Sequence, residues 1–141
     1  MEAIHLLLIA VYGQVALTFW AFISAGRARI AALKAGNVKL ADIAIETEAY
    51  PPHVRLAAHN LRNQFETPVL FFAAAAIALA LGAVTWAVAL AALVFLVTRV
   101  LHRRIHLGDN HLRRRFMMFC YGLAALGAMW ILIAIEVLRA G

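Results

Sequence analysis

An arginine, an asparagine and a glutamate stand together at the entrance to an apolar run in RNQFETPVLFF, residues 62–72. In a helix, His59, Asn63 and Glu66 at i, i+4 and i+7 share one face. Arg62 and Glu66, at i and i+4, can pair, and such a pair could do no more than staple a helix end. A second set, Arg99, His102 and His106, repeats the pattern at i, i+3 and i+7, and Arg113, Arg114 and Arg115 follow as a triplet. Ionisable groups at membrane depth are costly and are usually retained for a purpose. Guanidiniums hold carboxylates through paired hydrogen bonds. A glutamate and an asparagine can hold an amine and a peptide group. One carboxylate, one amide and several guanidiniums therefore suit a small peptide-like anion with several carboxylates. The apolar run beside them suits a lipophilic co-substrate.

The elements that must carry these groups are membrane helices. The chain has 141 residues, is 65% hydrophobic and only 14% charged, and has a mean hydropathy of +0.86. A soluble domain of this size could not bury so much apolar surface. Runs free of Lys, Arg, Asp and Glu cover residues 3–26, 67–98 and 116–135. A span needs ~20 apolar residues, so the first and third runs each supply one. The second is too long for one span and short for two. A turn at Gly82 divides it into two short halves, each completed by polar residues at its far end: Arg62, Asn63 and Glu66 on one side, and Arg99, His102 and Arg103 on the other. The expected spans are residues 3–25, 60–81, 84–103 and 114–137, in a single domain over residues 1–141. Helix two is expected to start at Pro51–Pro52 as an extension outside the membrane, with Pro68 kinking its interior. The loop 26–50 is acidic in its second half, and Gly108–Asp109 reads as a turn before helix four.

The net charge of +6 follows this topology. Arg27, Arg29, Lys34, Lys39, Arg55 and Arg62 lie between spans one and two. Arg99, Arg103, Arg104, Arg113, Arg114 and Arg115 lie between spans three and four, which leaves Arg139 alone on the opposite side. The positive-inside rule places both loops, 26–60 and 99–115, in the cytoplasm and both termini outside. Basic charge distributed in this way is a topology signal rather than a nucleic-acid surface. The start MEAIHLLL is acidic where a cleavable signal would be basic, so the first span is expected to be a retained anchor. Alanine-rich composition favours a bacterial inner membrane. Small residues on helices two and four (Ala73–Ala76, Gly122, Ala124, Gly127 and Ala128) suit close helix packing. Cys120, the single cysteine, excludes a disulfide framework and reads as a packing residue.

With these residues in view, HNLRNQFETPVLFF resembles the second-helix motif of the MAPEG family, the membrane-associated proteins of eicosanoid and glutathione metabolism: Arg-Asn-x-x-Glu, then proline and an apolar run. TRVLHRRIHLG is similar to the end of the family's third helix. The resemblance covers the whole chain and implies an all-α, four-helix membrane bundle that forms homotrimers, with glutathione bound between subunits near the cytoplasmic face. It also implies glutathione transferase, peroxidase or isomerase chemistry on lipophilic substrates. Carried over by position, Arg62, Asn63, Glu66, Arg99, His102 and His106 would hold glutathione, with Arg27 or Arg29 after helix one. Arg115 would face the sulfur, with Arg113 and Arg114 as alternatives. The sequence departs from the family in having His106 and Phe119 where many or some members have tyrosine.

Other classes fit less well. His102 and His106 have ligand spacing, but Arg103 and Arg104 between them oppose a cation, and no pair of histidines lies deep in two spans for haem. Spans one and four lack the polar path a channel requires. The alternative function is a non-catalytic membrane protein that binds glutathione or another small anion, or one that binds other membrane proteins.

Overall fold

A computed structural model describes residues 2–44 and 48–140, apart from the side chain of Ala140. Part of the acidic stretch of the first loop, residues 45–47, lies outside the described residues. Among the described residues five α-helices form: α1 Ala3–Lys34, α2 Pro52–Arg62, α3 Thr67–Ala80, α4 Trp86–Leu107 and α5 Leu112–Ala140. With α2 and α3 taken as one interrupted element, four helical segments among the described residues are long and apolar enough to cross a membrane.

Helix α1 was expected to end near residue 25 but continues for nine residues more. The extension is not apolar enough to be membrane-embedded throughout, and a different contact explains it. Ala32 of α1 packs with Val38, Tyr50 and Val54 in a small second core. The face of α2 that packs inward repeats every third residue, at Val54, Ala57 and Asn60. Arg27 and Arg29 consequently sit on the body of a helix rather than after its end.

The second span is not one kinked helix. A short 3-10 turn, Asn63–Phe65, and Glu66 at φ −96°, ψ −105° separate α2 from α3. Pro68 lies in the first turn of α3, not in a helix interior. The cause is local: proline has no N–H for the Gln64 carbonyl and disfavours α geometry in the residue before it, so the chain ends one helix and begins another. The tightened turn also undoes the predicted i, i+4 pair. Arg62 and Glu66 make no ion pair, and the pairs among the described residues lie elsewhere, at Arg55–Glu48, Arg114–Asp109 and Arg139–Glu136.

The turn at Gly82 is as the sequence requires. Gly82 has φ +66°, the Ala83 N–H donates to the Ala78 carbonyl and the Gly82 N–H to that of Leu79, so the left-handed residue closes the end of α3. Thr85 then caps α4 by accepting from the Val88 N–H at 3.3 Å.

The main core joins α1, α3, α4 and α5. Phe71 and Phe95 stack with ring centroids 4.8 Å apart, and Leu126 and Met129 are fully enclosed. Ala74, Ala75 and Ala78 of α3 are buried within the chain. Helices α4 and α5 approach closely at Gly122, where a β-carbon would stand 2.7 Å from Thr98 Oγ1. This matches the general use of small residues where lipid supplies no hydrophobic drive for helix association. Gly127, by contrast, has open space beside it, and Cys120 is exposed on α5 instead of packed in the bundle.

Candidate functional site

The break between α2 and α3 turns the polar motif outward. Arg62, Asn63 and Glu66, with His59 one turn earlier, form one wall of a cleft of about 380 Å³. His102 and His106, one turn apart on α4, form its floor. Leu112, Arg115, Phe116 and Phe119, at i, i+3, i+4 and i+7 on α5, form the other wall. Polar and charged groups thus line one side of the cleft, and on the other the apolar Leu112, Phe116 and Phe119 flank Arg115.

Residues behind the cleft fix the break in place. Arg99, 3% exposed, donates from Nη2 to the Asn63 carbonyl at 2.8 Å. This satisfies a carbonyl that the helix break leaves without its usual partner. Gln14 of α1 donates from Nε2 to Gln64 Oε1 at 3.0 Å, and Gln64 Nε2 donates to the Asn60 carbonyl at 3.2 Å. Arg103 donates from Nη1 to Asn60 Oδ1 and from Nη2 to Ser24 Oγ at 2.8 Å, with its guanidinium 4.5 Å from the centre of the Trp20 ring. Gln14, Asn60, Gln64 and Arg103 are all buried. Buried polar groups of this kind hold their positions because each lost partner would leave a desolvated group behind.

This arrangement sorts the candidate residues. Arg62, Asn63, Glu66, His102, His106 and Arg115 meet at the cleft. Arg99 lies behind it, bonded to the Asn63 backbone. Neither Arg27 nor Arg29 lines it. Among the triplet, Arg113 and Arg114 are exposed, Arg114 pairs with Asp109 at 3.6 Å, and only Arg115 reaches the cleft. Successive helical residues point about 100° apart, so one of three must face α4. The charge beside the histidines is also reassigned. Arg103 turns to the opposite side of α4, towards Asn60, and the guanidinium next to His106 is that of Arg115, with Nη1 2.7 Å from His106 Nδ1.

The sequence reading omitted Gln14, Asn60 and Gln64 behind the cleft, and Leu112 and Phe116 on its wall. For the last two a signal was present, since the spacing 112, 116, 119 places an apolar face beside Arg115. For the amides none was, because the bonds that tie them across helices, Gln14–Gln64 and Arg103–Asn60, join residues 50 and 43 positions apart.

Helical segments long and apolar enough to cross a membrane, with a polar cleft between them, define an integral membrane protein. Residues 7–135 match the MAPEG family, nearly the whole chain, and the protein belongs to that family. No curated protein and no solved structure matches the chain.

Proposed function

We propose that the cleft binds glutathione and that the protein is a membrane-bound glutathione-dependent transferase or peroxidase acting on lipophilic electrophiles. The observation that carries this reading is the convergence of Arg62, Asn63 and Glu66 with Arg115 around one cleft whose other wall is Leu112, Phe116 and Phe119. Among the described residues, neither Arg62, Glu66 nor Arg115 lies within ion-pair distance of an opposite charge. Two free cations and one free anion complement a tripeptide that has two carboxylates and one amine.

Arg115 has the catalytic role in this reading. A thiol of pKa ~8.5 is only a few per cent ionised at about neutral pH. A fixed guanidinium beside the sulfur favours the thiolate, and the proton leaves to water. The thiolate sulfur then forms a bond to the electrophilic carbon while the leaving group takes the displaced electron pair. With a hydroperoxide, two glutathiones are oxidised to the disulfide as the peroxide is reduced to alcohol and water. The apolar wall delivers the greasy partner from the lipid side.

The assembly completes the proposal. The protein works as a homotrimer in a bacterial inner membrane, with residues 26–60 and 99–115 on the cytoplasmic side, as the basic residues of both loops favour. Neighbouring subunits would cover the open side of the cleft.

Titration of purified protein with glutathione, read by thiolate absorbance in the near ultraviolet and by thermal stabilisation, tests this. The expected result is a protein-dependent thiolate signal with stabilisation. Glu66→Gln should weaken binding roughly tenfold, the typical consequence of losing one charge-assisted bond. Arg115→Ala should remove the thiolate signal and retain much of the stabilisation. Stabilisation without thiolate in the wild type would support the alternative, a protein that binds glutathione without activating it. The absence of both signals would refute the glutathione reading.

A further inference from the structure

Arg115 is held in an unusual way. Its Nη1 lies 2.6 Å from Asn110 Oδ1 and 2.7 Å from His106 Nδ1. A guanidinium has donors only, so His106 Nδ1 must be the unprotonated nitrogen of a neutral ring, with its proton on Nε2. Both protons of Nη1 are thus engaged by neutral acceptors. Asp109, one residue from Asn110, is turned to Arg114 instead, at 3.6 Å. Among the described residues no carboxylate lies within ion-pair distance of Arg115.

Asn110 sits in the left-handed region at φ 48°, unlike any other described residue except glycines. Its N–H donates to the Ile105 carbonyl at 2.8 Å, so its backbone closes the end of α4 while its side chain reaches forward to α5. Asparagine is among the few non-glycine residues that tolerate this conformation, and glycine would adopt it more readily. Glycine, however, would have no carboxamide for Arg115.

We infer that Asn110 and His106 are positioning residues that fix the Arg115 guanidinium at the cleft wall without neutralising it. The inference rests on the reading that an anionic sulfur or carboxylate binds beside Arg115. The clamp consumes one end of the guanidinium. The Nε and Nη2 edge has no partner among the described residues and is the edge that can meet an anion with two parallel hydrogen bonds. A carboxylate in place of either neutral acceptor would orient Arg115 equally well and cancel the field it exerts on the ligand. The same geometry gives His106 a role different from that of a direct ligand contact, because its Nδ1 is already occupied by Arg115.

The test separates the clamp from ligand binding. In detergent-purified protein without ligand, phenylglyoxal modification of Arg115 is followed by mass spectrometry, with Arg139 as the exposed reference. Asn110→Gly keeps the backbone conformation and should retain the melting temperature. It should speed Arg115 modification roughly fivefold relative to Arg139, the ratio that one net hydrogen bond sets. An unchanged ratio would overturn the clamp, whatever the protein binds. With glutathione present, Asn110→Asp should raise the pKa of the bound thiol by about one unit, because the new carboxylate offsets Arg115. Asn110→Gly should leave the pKa closer to that of the wild type and weaken binding instead. Equal thiol pKa values in Asn110→Asp and the wild type would refute the claim that neutrality of the acceptor matters. A wild type that binds no glutathione would refute the proposed function, while the phenylglyoxal ratio would still decide the clamp.

Discussion

Replacing Gln14 by leucine probes the polar network on which the cleft is built. Gln14 is 0% exposed and Gln64 2% exposed, and their amides meet at 3.0 Å across α1 and the helix break. Leucine at position 14 leaves Gln64 Oε1 enclosed with no donor. An acceptor stranded in this way costs about 1–3 kcal/mol in water-soluble proteins, and hydrogen bonds between membrane helices have measured worths of ~0.6 kcal/mol on average and up to ~1.7. We expect about 1–2 kcal/mol of destabilisation, since the site is fully enclosed by protein. Gln64→Leu should cost a similar amount, because it strands the Gln14 amide. The double replacement should recover most of the loss. It removes both partners together, and also removes Gln14 Oε1, which is buried without a partner in the native chain. The coupling energy in the double-mutant cycle should therefore be about 1 kcal/mol or more, with the pair less harmful than the sum. Unfolding in a titration of mixed micelles with a denaturing detergent, followed by circular dichroism, gives the four stabilities. Simple additivity, or a Gln14→Leu variant as stable as the wild type, would refute the network reasoning.

The remaining predictions concern backbone and packing. Gly122→Ala should destabilise the α4–α5 contact by about 1–3 kcal/mol, because the added carbon meets Thr98 Oγ1 at 2.7 Å, and Thr98→Ala in the same chain should restore most of the loss. The same micelle titration checks both. Gly82→Ala has open space around the new carbon, so only its φ of +66° is penalised, by about 1 kcal/mol, and Gly82→Asn should cost less. Melting temperatures of the two variants rank the pair.

The site shows why some features are legible locally and others are not. The motif at 62–66 identifies itself because its residue types are unusual beside an apolar run. The helix break that displays it was half legible: Pro68 announces a disturbance, but whether the chain kinks or ends a helix depends on what satisfies the freed groups. Here Arg99 takes the Asn63 carbonyl from 36 residues away. The triplet at 113–115 requires one arginine to face inward. Spacing by resemblance favours Arg115 and leaves Arg113 and Arg114 open, and the rotation of α5 against α4 brings Arg115 alone of the three to the cleft.

The sequence alone determined four apolar helical segments, the turn at Gly82, the basic loops and the polar cluster, since hydropathy, left-handed glycine geometry and charge act over a few residues. Tertiary structure decided which charges stay unpaired. Arg103 is satisfied by Asn60 and Ser24, Arg114 by Asp109, and Arg115 by two neutral groups that leave its charge intact. The worth of a charge depends on its partners and its exclusion from water, and both are set only when distant helices pack together.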